Sequence, residues 1–208
     1  MIHDLTRPIT SGMPVYPGDP PVQITPLPSP PWQISALHLG SHSGTHLDAP
    51  RHRFADGAGI DEISPERLIR PGMVIDACGY PANTPIGPEA LAGVALQAGM
   101  AVVIRTGWEV YWGTDDYMRH PYLSAALAQI LAGYGVAIVG IDAFSVDSTV
   151  DGNDAAHVAL LGNNILIAEN LCNLATLACG TQYTFAFLPL LIRQADGAPA
   201  RVVAWREN

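Results

Sequence analysis

Within eleven residues the chain reads His42-Ser43-Gly44-Thr45-His46-Leu47-Asp48-Ala49-Pro50-Arg51-His52, three histidines and an aspartate with no cysteine among them. Nitrogen and carboxylate donors without thiolate suit zinc, manganese or iron, whereas all-oxygen calcium cages and closed cysteine-rich zinc sites fit badly. The pattern points to an open metal site with a coordination position left for water. The competing reading is a polar loop carrying surface histidines. It is the weaker one, because these three are nearly half of the chain's seven histidines.

The spacing constrains the backbone. All four candidate ligands, His42, His46, Asp48 and His52, fall on even positions, and alternate side chains of a strand share one face. His46 and Asp48 would then stand side by side, about 6.5–7 Å apart at Cα. His42 and His52 cannot reach the same ion along a straight strand, since ten extended residues span roughly 33 Å. The chain has to bend, and Gly44 and Pro50 are the residues suited to it.

A further carboxylate stands out. Glu169 follows Ile165 and Ile167 on the same alternating face of an apolar stretch, and a glutamate is almost never buried without a partner. No lysine lies near that stretch, so a metal is the simpler counter-charge. His157 sits in a helical pattern over residues 154–161. Read from its surroundings alone, a core histidine bonded to backbone is as good a reading as a ligand.

Residues 42–52 match throughout the signature His-x-Gly-Thr-His-x-Asp-x-Pro-x-His, and the chain here resembles the metal-dependent cyclase-family hydrolases, which include bacterial kynurenine formamidase and isatin hydrolase. The resemblance extends along the chain, through Asp4-Leu5-Thr6, Pro14-Val15-Tyr16-Pro17-Gly18-Asp19, Gly140-Ile141-Asp142 and Ile167-Ala168-Glu169-Asn170-Leu171. It implies two divalent metal ions, zinc first and manganese second. His42, His46, Asp48 and Glu169 would hold one ion and Asp48, His157 and Glu169 the other, with both carboxylates bridging. Such a pair acidifies water to near neutrality and polarises a carbonyl. The leaving amine still needs a proton, and the family pattern implies His52 as its carrier. The alternative is that His52 is one more ligand.

The expected reaction is therefore hydrolysis of an amide C–N bond, with an aryl formamide resembling N-formylkynurenine as leading substrate. Ring opening of a cyclic amide or lactone, as in isatin hydrolase, is the alternative, and a non-catalytic metal-dependent binding protein is a second. Tyr16 occupies the place where kynurenine formamidases typically carry a substrate-stacking tryptophan. A tyrosine there can still stack on an aryl group. Trp108, Trp112 and Phe144 are candidates for an aromatic wall. Asp142, Ser145 and Asp147 could orient the ligands from behind, or simply cap loops.

The chain has 208 residues, 49% of them hydrophobic, which suits one domain with a sizeable core. The formal charge of −9 argues against a nucleic-acid or anionic-membrane surface and for a small-molecule substrate. Only 14% of residues are charged, which suggests a surface partly buried in a homodimer or higher oligomer. Cys78, Cys172 and Cys179 lack metal-motif spacing and read as free thiols of a reducing compartment. The N-terminal residues carry an acid and a proline where a signal peptide needs an apolar core, and apolar runs such as residues 185–192 are too short to span a bilayer. A cytoplasmic protein is expected.

The proline-rich first thirty-one residues exclude helix and suggest an extended arm or ordered loop. Strands are expected over residues 33–40, 72–78, 100–106, 135–142, 165–171, 183–192 and 201–206, and helices over 88–98 and 123–134. That alternation is α/β. The family resemblance narrows it to a swivelling β/β/α (cyclase-like) fold with a mixed, partly barrel-like sheet.

Overall fold

The computed structural model describes residues 1–206. Its strands are β1 (Ile2–Asp4), β2 (Gln23–Ser29), β3 (Trp32–His38), β4 (His46–Asp48), β5 (Ile69–Asp76), β6 (Pro85–Ile86), β7 (Ala101–Arg105), β8 (Tyr122–Leu123), β9 (Ile138–Ile141), β10 (Leu166–Glu169), β11 (Gln182–Pro189) and β12 (Gly197–Trp205). The helices are α1 (Pro65–Leu68), α2 (Ala125–Tyr134) and α3 (Ala155–Leu161).

Seven strands close on themselves in the order β12-β11-β5-β7-β9-β10-β4 and back to β12, with β1 added outside. Closure depends on the length of β12. Its first residues, Gly197 to Pro199, pair with β4, while Ala200 to Trp205 pair with β11. The run β5-β7-β9-β10 is parallel and the remaining pairings of the ring are antiparallel. A mixed, barrel-like α/β sheet results, with no open edge within the ring.

Alternation along each strand separates two cores. Leu47, Val103, Ile138, Leu166, Ala168, Phe185 and Val202 come from six strands of the ring and meet on its enclosed face. Val102, Ile104, Val139, Ile141, Ile165 and Ile167 point the other way, against Leu127 and Leu131 of α2 and Leu160 and Leu161 of α3. Because both faces are covered, β7 and β9 are apolar almost without interruption, as parallel strands buried on two sides must be. Each large aliphatic side chain so buried is worth about 1.5–3 kcal/mol relative to exposure.

Helix α2 ends at Tyr134, as expected for residues 123–134, but begins two residues later than expected, at Ala125, because Leu123 belongs to β8. Ser124 caps the helix by accepting the Leu127 amide, and Gly135 ends it in the left-handed conformation. Ile130, next to the buried Leu131, is partly exposed. The helix expected over residues 88–98 is not formed. Only a 3₁₀ turn, Pro88–Leu91, appears there. Ala92 leaves the helical region and Gly93 takes φ +76°, so the segment lacks the length that would offset helix nucleation.

The proline-rich arm contains two strands, β1 and β2. β2 and β3 form a hairpin paired only with each other among the described residues, with Pro26 and Pro28 at alternate positions. Trp32, Ile34, Leu37 and Leu27 are exposed on it. No helix among the described residues is long and apolar enough to cross a membrane. The three cysteines are free thiols, as the sequence suggests.

Candidate metal and catalytic site

The site lies on the helix-facing side of the short β4–β10 pair. Leu47 points into the ring, so its neighbours His46 and Asp48 point out. On β10, Ala168 points in and Glu169 points out. The antiparallel register sets Glu169 opposite His46 and Ile167 opposite Asp48. Two strands of alternating pattern thereby gather three polar side chains on one face, and all three are buried.

The chain bends on either side of β4, at the two residues the sequence singles out. Gly44 takes φ +66°, and a Cβ there would come within 3.0 Å of Met13. The left-handed turn brings the His42 ring back over the strand, with Nδ1 2.8 Å from Asp48 Oδ1. Pro50 opens a 3₁₀ turn, Pro50–His52, which returns His52 to the cluster. The His42 and His52 rings lie 4.1 Å apart. From the other side, α3 delivers His157.

The carboxylates each divide their oxygens between two places. Asp48 sets Oδ1 3.3 Å from His46 Nε2, and Oδ2 3.7 Å from His157 Nε2. Glu169 sets Oε2 3.3 Å from His46 Nε2, and Oε1 3.6 Å from His157 Nε2. Donor atoms of His46, Asp48 and Glu169 all lie within 4.8 Å of one another, and so do those of His42, Asp48 and His52. Asp48 belongs to both groups.

The donor set fits a divalent cation. His46 Nε2 and Asp48 Oδ2 are buried and have no hydrogen-bond partner among the described residues. Leaving such groups unsatisfied costs about 1–3 kcal/mol each, and bound cations, one on the His46 side and one on the His157 side, would satisfy them. Without them, protons take the cations' place. Burial works against the charged form of His42, yet the Asp48 and Asp196 carboxylates push its pKa up to about 9. Burial likewise opposes charge on His157, but Asp147 and Asp48 push it up to about 10. Burial also works against ionised Asp48, which the flanking His46 and His42 nevertheless hold well below the usual carboxylate range.

Asp147 is both a cap and an orienting residue. It accepts the amides of Ala156 and His157 at the start of α3 and also binds His157 Nδ1 at 2.8 Å, leaving Nε2 for the cluster. Its Ser145 neighbour lines the cavity and accepts the Asp147 amide. Asp142 only orders a loop, accepting from Thr106 and Gly107; burial raises its pKa to about 6.

The cluster forms the floor of a cavity of about 600 Å³, a size suited to a small organic molecule. Tyr16 and Phe144 line one wall, with rings 6.1 Å apart edge to face. The expected aromatic wall is otherwise not formed, since neither Trp108 nor Trp112 lines the cavity. Trp112 packs under the Arg7 guanidinium at 4.3 Å, and Trp108 against Tyr111 while donating to the Asp116 carbonyl. Two features escaped the sequence reading. Arg53 and Asp154 pair at 2.7 Å across the cavity rim. Asp196, just before β12, accepts from His42 Nε2 at 2.8 Å and from His52 Nδ1 at 3.2 Å.

A family model with the description "Putative cyclase" matches residues 3–148. The chain belongs to the cyclase family. A kynurenine formamidase of Bordetella avium (strain 197N) is 35% identical over 211 residues, covering 96% of this chain and 95% of its own. Among solved structures, a predicted metal-dependent hydrolase from Bacillus stearothermophilus aligns with a TM-score of 0.83 at 27% identity, covering 98% of this chain and 97% of that one. Isatin hydrolase A from Labrenzia aggregata, bound to benzyl benzoate, aligns with a TM-score of 0.89 at 24% identity over 100% of this chain and 94% of its own, a likeness of fold. The closed mixed sheet is thus the cyclase-family architecture.

Proposed function

We propose that this protein is a dinuclear metal-dependent hydrolase that cleaves the amide C–N bond of an aryl formamide. The observation that carries the reading is the division of oxygens at Asp48 and Glu169, each carboxylate offering one oxygen beside His46 and the other beside His157. His42, His46, Asp48 and Glu169 would hold one ion, and Asp48, His157 and Glu169 a second, with zinc the first choice and manganese the second. The similarity to a kynurenine formamidase along nearly the whole chain supports the formamide as substrate.

The bound ions would supply Lewis acidity toward a carbonyl and an acidified water. The chain's own residues do the rest. Tyr16 and Phe144 offer flat apolar surface to an aryl ring. Asp147 fixes the orientation of His157. His52 is one-third exposed, is held at Nδ1 by Asp196, and makes no hydrogen bond at Nε2 among the described residues. That nitrogen can therefore take a proton from water and return it to the departing amine. A single domain acting as a homodimer in the cytoplasm completes the reading. The exposed apolar side chains of the β2–β3 hairpin support the dimer, in which residues near Tyr16 or Trp112 would approach the neighbouring site.

The test is turnover of N-formyl aryl amines by zinc- or manganese-loaded protein, beside isatin and a simple lactone. Formamide cleavage that disappears on chelation and returns with metal is the expected result. Turnover of the cyclic amide alone would move the assignment to ring opening, and no turnover across the panel at full loading would indicate a binding protein.

A further inference from the structure

We propose that Asp196 is a positioning residue that locks the imidazoles of His42 and His52 in one orientation each, tying a candidate metal ligand to the candidate proton carrier. The inference rests on the function proposed above. A single oxygen, Asp196 Oδ2, accepts from His42 Nε2 at 2.8 Å and from His52 Nδ1 at 3.2 Å. The carboxylate is anchored to the strand it serves, because the Asp196 carbonyl accepts the Ala49 amide at 2.9 Å, one residue beyond Asp48.

The next residue shows that the approach is built in. Gly197 pairs with Asp48 in the sheet, and a Cβ at Gly197 would come within 2.9 Å of His42 Cε1 and 2.8 Å of the Leu47 carbonyl oxygen. Only glycine lets the His42 ring lie that close to β12. With Nε2–H given to Asp196, His42 would keep its Nδ1 lone pair for an ion shared with Asp48. With Nδ1–H given to the same oxygen, His52 keeps Nε2 for the cavity. One carboxylate thus selects both tautomers, the task partners behind a ligating histidine commonly perform.

The experiment uses zinc-loaded protein and the variants Asp196→Ala and Asp196→Asn. Long-range imidazole ¹H–¹⁵N spectra should show His42 protonated at Nε2 and His52 at Nδ1 in the parent. The His52 ring should lose that single tautomer in Asp196→Ala and largely keep it in Asp196→Asn, whose amide oxygen can accept the same two bonds, while His42, with zinc on Nδ1, reports the loss through zinc affinity. Zinc affinity by chelator competition, and kcat for an aryl formamide at saturating zinc, should each fall about 10–100-fold in the alanine variant, with KM little changed and most of both restored by asparagine. An unchanged His52 tautomer in Asp196→Ala, or an asparagine variant no better than alanine, would overturn the proposal. Should the parent prove inactive on formamides, the substrate reading fails while the spectra and zinc affinity still decide the role of Asp196.

Discussion

His46 and Glu169 stand directly opposite each other on β4 and β10, with Nε2 and Oε2 3.3 Å apart. The strand register alone creates this pair, although the two residues are far apart in the chain. A slip of one residue in β4 would turn His46 and Asp48 into the enclosed core and expose Leu47 to the ligand side. The site and the barrel closure are therefore specified by the same pairing.

Asp147 joins the fold to the site in a second way. Its carboxylate accepts two amides of α3 as well as the His157 ring. Asp147→Ala should lower stability by about 1–2 kcal/mol, as loss of a helix cap does, and weaken metal binding roughly 10–100-fold. Chemical denaturation and a metal titration measure the two effects. A variant with weakened metal binding but parent-like stability would show that the capping bonds contribute little.

The ligand-bearing strands were legible because a two-residue period is local. His46 and Asp48 in one segment, and Ile165, Ile167 and Glu169 in another, announce their shared faces without knowledge of the partner strand. The bends at Gly44 and Pro50 follow from reach. Asp196 carries no such signal, since Asp-Gly before a strand reads as a turn and its partners are 144 and 154 residues away. The missing helix over residues 88–98 shows the reverse failure, in which alanine and leucine content suggested helix where Gly93 demands a left-handed residue. Residue type alone points Trp108 and Trp112 toward the cavity, whereas packing on Tyr111 and Arg7 decides their places.

Stability of the metal-free protein should fall as pH rises from about 6.5. His42 and His157 have pKa values pushed up to about 9 and about 10, against about 6.5 for an unfolded imidazole. Between those limits the folded chain binds more protons than the unfolded one, so deprotonation removes stability. Metal replaces these protons, so the difference in Tm between loaded and chelated protein should widen from pH 6.5 to 9. A gap that narrows over this range would contradict the pairing.

Assembly should be visible by light scattering. The hairpin exposes Leu27, Trp32, Ile34 and Leu37, with Trp32 74% accessible, and an isolated hairpin is marginally stable at best. A homodimer at micromolar concentration is expected, weakened by a Trp32→Ser, Leu37→Ser double variant. A parent protein that is monomeric, metallated and active would remove the dimer from the proposed function.

His52→Ala should keep both ions, because His42, His46, Asp48, His157 and Glu169 remain. It should nevertheless lose roughly 10²–10⁴-fold in amide turnover, the usual contribution of a general acid–base group. An activated ester leaves without protonation, so its hydrolysis should suffer far less. Equal losses on both substrates, with a fall in bound metal, would make His52 a ligand.

Metal content per chain is the most direct test of the bridging arrangement at Asp48 and Glu169. The parent should bind two divalent ions, His42→Ala should lose affinity at one position, and Asp48→Asn should lose both, because the aspartate oxygens serve the His46 and His157 sides together. An Asp48→Asn variant that retains two ions per chain, or a fully loaded parent that holds only one, would contradict the dinuclear site.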